Sequence, residues 1–106
     1  MLVSIVIPVY NEEKYIFELL QRVNKVKNIK KEVIVINDQS NDQTLNILKN
    51  DCKSLYTKLI TNKKNRGKGF SCREGIKNAT GDIIIIQDAD LEYNPENYLN
   101  LIEPIK

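Results

Sequence analysis

The sequence predicts an α/β fold, a Rossmann-like three-layer sandwich in which a mainly parallel sheet carries helices on both faces. Short runs rich in valine and isoleucine alternate along the chain with segments whose apolar residues recur at helical spacing. The connections between them are short, the pattern of strands joined by helical crossovers. The runs are also apolar at nearly every position instead of every second one, as expected for strands covered on both sides. Right-handed crossovers then give the strand order 3-2-1-4. At 106 residues the chain is long enough for one core, so residues 1–106 form a single domain.

The first strand is "LVSIVIPVY", with Pro8 expected at or past its end because proline cannot donate to a central ladder. Asn11 is the expected cap of the next helix, with Glu12 and Glu13 in the first turn, near the positive end of the helix dipole. Ile16, Leu19, Leu20, Val23 and Val26 form its buried stripe. "EVIVIN" is the second strand, and "DQSNDQT" supplies the turn that opens a helix burying Leu45, Leu48, Cys52 and Leu55. "TKLITN" is a short third strand, followed by the basic, glycine-bearing loop "NKKNRGKG" and by a helix over "FSCREGIKNAT" that stops near Gly81. "DIIIIQ" is the fourth strand. Asn94 and Pro95 announce a last helix with Leu99, Ile102 and Ile105 on one side.

A hydrophobic share of 42% and a charged share of 28% exclude a globally disordered chain. The net charge of +2, with no interleaving of aromatic and basic residues, argues against a nucleic-acid surface. The start "MLVSIVIPVYNEE" has no basic n-region or small-residue cleavage site, and no stretch approaches the roughly 20 apolar residues that span a bilayer. The expectation is a soluble, cytoplasmic chain. Cys52 and Cys72, both expected on helices, have no nearby histidine or cysteine in the sequence and read as structural thiols.

Parallel strands all end on one edge, where open α/β sheets bind ligands and where the order reverses between strands one and four. That edge collects Pro8, Tyr10 and Glu12, then Asn37 and Asp38, then Asn62 and Asn65, and finally Asp88, Asp90 and Glu92. Acids two apart on an extended segment are roughly 7 Å from each other, and at an effective dielectric of ~20 they repel by on the order of 2 kcal/mol. A hard divalent cation, Mg²⁺ or Mn²⁺, offsets this when it bridges carboxylates to the phosphates of a substrate. A solvated acidic turn is the plainer alternative, and the all-isoleucine strand before it favours a site. Asp38 reads either as a turn residue bonded to local backbone or as a carboxylate meeting a nucleobase. Lys63, Lys64, Arg66, Lys68 and Arg73 offer cations to a diphosphate or make a solvated basic face; Gly67 and Gly69 permit close backbone approach or a tight turn.

In "VSIVIPVYNEE", "VIVINDQSNDQT", "NRGKGFSCREGIKNATGD" and "DADLEYNPE", which together span nearly the whole chain, the sequence resembles the nucleotide-binding half of the family 2 glycosyltransferases of GT-A fold. It is most similar to the branch that makes polyprenyl-phosphate sugars. The resemblance implies that Pro8, Tyr10 and Glu12 border a nucleotide and that Asp38 contacts its base. It also implies that Asp88 and Asp90 form the D-x-D that holds a metal and the ribose or diphosphate of a UDP- or GDP-sugar. Glu92 stands where that branch commonly has a metal-reaching glutamine and keeps a hard oxygen ligand. The implied reaction is inverting transfer to an acceptor such as a polyprenyl phosphate or a glycan, in the cytoplasm and, in a full-length context, at the inner face of the membrane.

Two departures stand out. Asn37-Asp38-Gln39-Ser40 replaces the family's usual Asp-Asp-Gly-Ser, which puts a side chain at a tight turn. The chain ends at Lys106, about where the family's acceptor-binding half begins, so acceptor and general-base residues are expected to lie outside it. The alternative is a non-catalytic nucleotide-binding or assembly fragment. Strand four, the most apolar strand, falls at a sheet edge in the order 3-2-1-4, and the expectation is that the isolated chain self-associates, aggregates, or belongs to a longer protein whose next strands cover that edge. A dinucleotide-binding Rossmann domain fits poorly, since its glycine loop would follow strand one, and a P-loop signature is absent.

Overall fold

The computed structural model describes residues 1–89; Asp90, Glu92 and the helix expected after Pro95 lie outside the described residues. The elements are β1 (Leu2–Val9), α1 (Ile16–Lys25), β2 (Lys30–Asn37), α2 (Thr44–Asn50), β3 (Lys58–Thr61), α3 (Lys68–Asn78) and β4 (Ile83–Ile86). All strand pairs are parallel and the order is β3-β2-β1-β4, as the sequence predicts. The two central strands are buried on both faces. Val3, Ile5, Ile7, Val9, Val33 and Val35 meet Ile16, Leu19, Leu20 and Val23 of α1 and Leu48 of α2 on one side. Val6, Ile34 and Ile36 face the other. Each such side chain contributes about 1.5–3 kcal/mol relative to exposure.

Helix α3 covers the second face, and its seat is set by Gly75. A Cβ there would stand 2.2 Å from Val6 Cγ1 and 2.8 Å from Ile36 Cδ1. The helix therefore lies directly on the side chains of β1 and β2. It begins two residues earlier than its apolar pattern suggests, because Gly67 takes φ 92° and turns the chain into the helix.

Three local expectations are corrected. Pro8 lies inside β1, opposite Ile36, and Val9 closes the strand. Residues of one parity bond one neighbour in a parallel ladder. Val6 faces β4, where its carbonyl accepts from Gln87 N–H, so Pro8 turns its missing donor to that side, beyond the last β1–β4 pair at Val6 and Ile86. Asn11 does not cap α1: it sits at φ 52°, and the helix starts at Ile16 with no side-chain cap. Its side chain accepts instead from Asn41 N–H at 2.9 Å. Helix α2 ends at Asn50, so Cys52 lies in the turn after it, buried, and burial with the nearby Asp51 charge pushes its thiol up to about 11. Cys72 lies on α3.

β4 pairs only with β1 among the described residues, and its Ile84 and Ile86 remain 40% and 41% exposed.

Away from the carboxyl ends of the strands, Glu32 near the start of β2 is buried as a carboxylate. Ser4 Oγ donates to Oε1 at 2.6 Å, and Thr80 donates its N–H at 2.6 Å and its hydroxyl at 2.9 Å. Burial disfavours the charge, but these bonds and the Lys58 ammonium outweigh it and hold the carboxyl below its ordinary value of 4.5. A carboxyl depressed on folding stabilises above its unfolded pKa, and that stability is lost as pH falls through the lower folded value. Unfolding free energy should therefore drop on acidification below about pH 4.5. Glu32→Gln should be less stable at pH 7 by about 1–3 kcal/mol and show a shallower acid slope in urea titrations across pH 2–6. An unchanged slope would show that Glu32 does not carry the effect.

Candidate functional site

The carboxyl ends of β1, β2 and β3 are level, with Val9, Asn37 and Thr61 in register. The loops that leave them are tied to one another. Asn11 N–H donates to Ser40 Oγ at 3.0 Å, Glu12 N–H to Thr44 Oγ1 at 2.9 Å, and Gln43 N–H to Glu13 Oε2 at 3.2 Å. Ser40 in turn bonds Asn37 Oδ1 through its N–H at 3.2 Å and its hydroxyl at 2.6 Å. The Asn37 amide nitrogen is buried with no partner among the described residues. Asp42 accepts from the N–H and hydroxyl of Thr44. Burial works against its charge, and these two bonds with Glu13 N–H keep its carboxyl low. The β1–α1 and β2–α2 loops thus form one surface.

Asp38 joins that surface to the β3–α3 loop. It is 4% exposed, and both carboxylate oxygens turn toward protein donors. Oδ1 accepts from Asn62 Nδ2 at 2.8 Å and Arg66 N–H at 2.7 Å, and Oδ2 from Gly67 N–H at 2.8 Å. Burial raises the cost of the charge, yet the Arg66 N–H, the Asn62 amide, the Gly67 N–H and the Arg66 guanidinium together hold the carboxyl below its usual range. The sequence left two readings of Asp38; the structure gives its carboxylate backbone partners that are not local, the N–H groups of Arg66 and Gly67, 28 and 29 residues away.

Asp88 is two residues past the last β1–β4 pair, as Pro8 is two past Val6. Its carbonyl accepts from Gln87 Nε2, and its half-buried carboxylate forms an ion pair with Lys68 Nζ. Lys68 is the first residue of α3, directly after the two residues whose N–H groups Asp38 binds. The two acids therefore flank one short stretch, Arg66-Gly67-Lys68. Arg73, exposed on α3, turns back along the helix, with Nη1 3.5 Å from where a Cβ on Gly69 would stand. Arg66 lies over the Phe70 ring at 4.7 Å. Tyr10 is exposed, while Pro8 and Glu12 are half-buried at the end of β1.

Beside the basic loop a cleft of about 550 Å³ opens, lined by Ile60, Asn62, Lys63, Arg66, Phe70 and Glu74 among others. A second, of about 290 Å³, lies at Asn11, Glu12, Glu13, Lys14, Tyr15 and Asp42. Neither counts Asp38 or Asp88 in its described lining. Among the described residues no three carboxylate or cysteine side chains are placed to hold a metal. Of the expected ligand set Asp88 is described, and Asp90 and Glu92 are not. Asp88 offers a hard cation an oxygen donor at the rim of the sheet, although here its carboxylate is paired with the Lys68 ammonium, which would have to shift for a metal to take that oxygen.

Gln39 is the residue whose importance sequence composition alone would miss; the signal is its place in a glycine position. It takes φ 54°, and its Nε2 donates to the Lys63 carbonyl at 2.8 Å, a second tie to the β3–α3 loop. A side chain in that region costs roughly 1–2 kcal/mol relative to ordinary backbone, against about 0.5–1.5 kcal/mol from one hydrogen bond. Gln39→Ala should lose the bond and keep the strain, whereas Gln39→Gly should lose both. Thermal unfolding should rank the Ala variant below the Gly variant, with Gly within about 1 kcal/mol of the parent.

A family model described as glycosyl transferase family 2 matches residues 4–106. A dolichol-phosphate mannosyltransferase of Pyrococcus furiosus is 36% identical over 107 residues, covering 100% of this chain and 30% of that protein. An undecaprenyl-phosphate 4-deoxy-4-formamido-L-arabinose transferase of Pseudomonas fluorescens is 37% identical, covering 94% and 31%. Among solved structures, S. aureus TarS 1–349 in complex with UDP-GlcNAc superposes with a TM-score of 0.83 at 30% identity, covering 98% of this chain and 30% of that one. The mannosyltransferase PcManGT from Pyrobaculum calidifontis, in complex with GDP-Man and Mn²⁺, gives 0.81 at 28% identity, covering 92% and 30%. The chain thus spans about a third of the length of the relatives it matches.

Proposed function

Since the chain belongs to glycosyl transferase family 2, we propose that it binds a UDP- or GDP-linked sugar with Mg²⁺ or Mn²⁺, as the donor-binding part of an inverting glycosyltransferase. The observation that carries this reading is the meeting of Asp38 and Asp88 on Arg66-Gly67-Lys68. It sets a carboxylate for a cation beside basic residues for a diphosphate, at the edge where parallel sheets take ligands. The ligands held by the similar structures, UDP-GlcNAc in one and GDP-Man with Mn²⁺ in another, support the same chemistry. Pro8, Tyr10 and Glu12 border the nucleotide in this reading, and Asp38, whose carboxylate keeps an acceptor site beyond its three protein donors, contacts the base. Lys68 and Arg73 face the diphosphate. Asp88, with Asp90 and Glu92, would hold the ion, which supplies stabilisation of charge on the departing diphosphate. The acceptor is a polyprenyl phosphate, as the relatives' names suggest, or a glycan.

Titration calorimetry of the 106-residue chain with UDP, GDP and their sugars, with and without Mn²⁺, tests the reading. Metal-dependent binding is expected for at least one nucleotide. Asp88→Asn should weaken it about tenfold or more, on the order of 1.4 kcal/mol. Absence of metal-dependent heat with every nucleotide would favour a non-catalytic assembly module.

Self-association through β4 belongs to the same proposal, because the strand leaves Ile84 and Ile86 exposed at the sheet edge. Sedimentation equilibrium should show concentration-dependent association, reduced by Ile84→Lys; a monomer up to millimolar concentration would refute it.

A further inference from the structure

We infer that Lys68 couples the metal to the diphosphate: its ammonium competes with the divalent cation for Asp88 and, once that carboxylate is taken, turns to the diphosphate. The inference deepens the nucleotide reading above and rests on it. The Asp88 carboxylate forms an ion pair with Lys68 Nζ. A carboxylate oxygen engaged by an ammonium is not fully available to a hard dication, and the two cations repel each other at close range. One of them has to give way.

Which group moves follows from how each is held. Asp88 lies between Gln87, 3% exposed, whose N–H donates to the Val6 carbonyl at 2.9 Å, and Ala89, 6% exposed in the larger core cluster. Its main chain is fixed on both sides. The main chain at Lys68 is fixed as well: the N–H groups of Arg66 and Gly67 reach the Asp38 carboxylate just before it, and Ser71 N–H donates to the Gly67 carbonyl at 3.1 Å just after. The lysine stem is looser, with a side chain 62% exposed against 31% for Asp88. The ammonium is therefore the part that swings, about a base that does not. A phosphate oxygen sharing a cation with Asp88 is a near neighbour of Asp88 and hence of Lys68, so the ammonium released by one anion meets the next. An exposed pair of this kind is weak, which leaves the exchange open in both directions. By linkage, the diphosphate then favours the metal by the same factor as the metal favours the diphosphate.

The test titrates the 106-residue chain, Lys68→Met and Lys68→Arg with Mn²⁺ alone and with inorganic pyrophosphate in Mn²⁺. The Met variant should bind Mn²⁺ about threefold tighter than the parent and pyrophosphate in Mn²⁺ about tenfold more weakly; the Arg variant should return both toward the parent. Lysine acylation read by peptide mass spectrometry follows the ammonium itself. Saturating Mn²⁺ should quicken labelling at Lys68, and pyrophosphate added to the Mn²⁺ should slow it again, with exposed Lys53 as the unchanged reference. Bound Mn²⁺ without a change in Lys68 labelling, or a Met variant that binds Mn²⁺ no tighter, overturns the inference and leaves the metal reading standing. Tighter Mn²⁺ with pyrophosphate unaffected overturns it too, since Lys68 would then serve Asp88 alone. A parent chain that binds neither Mn²⁺ nor pyrophosphate in its presence fails the nucleotide reading, and the inference with it.

Discussion

A carboxylate withdrawn from water at the end of β2 has to be given hydrogen-bond donors, and the donors that reach Asp38 come from the loop before α3. An unpaired buried charge costs several kcal/mol, so the native loop cannot relax away from Asp38 without incurring that cost. The arrangement of the loops at the carboxyl ends of the strands follows. The β2–α2 turn is held to the β1–α1 loop through Ser40, Asp42 and Thr44, and to the β3–α3 loop through Asp38 and Gln39. Three loops that sequence would treat as separate surface segments become one wall.

Glu32 repeats this device at the other end of the same strand. Asp38 holds the two residues that lead into α3, and Glu32 holds Thr80, two residues past the end of the helix. Lys58 adds a bond from its ammonium to the Asn78 carbonyl at 2.8 Å. β2 therefore grips α3 at both ends with buried acids, while Gly75 brings the middle of the helix onto Val6 and Ile36. A helix with a modest apolar face is placed by polar anchors at its termini and by one close approach between them.

The sheet was legible because its information is local. Four runs of valine and isoleucine separated by helical patterns specify parallel strands, and the handedness of crossovers specifies the order. The errors came from information that is not local. Pro8 looked like a strand end because nothing in "VIPVY" tells that β4 stops pairing at Val6, which leaves the proline a side that needs no donor. Asn11 looked like a cap because its competing partner, the Asn41 N–H, is 30 residues away. The edge residues were found by topology alone. The direction in which Asp38 points could not be, since its donors lie 24 to 29 residues downstream. Glu32 carried a faint signal, an acid opening a strand otherwise apolar, and Gln39 a stronger one, a long side chain where the resemblance expects glycine.

Anchoring α3 at both ends and pressing its middle onto the sheet has an effect on how strongly any anion could be held near Lys68. The configurational freedom of that residue's main chain is surrendered once, when the molecule folds, and not again on each capture. What remains is to order the lysine stem, roughly 0.5–1.5 kcal/mol for such a side chain, and to share or break its ion pair with Asp88. Any attraction between that ammonium and a phosphate would then go less into restraining the receptor.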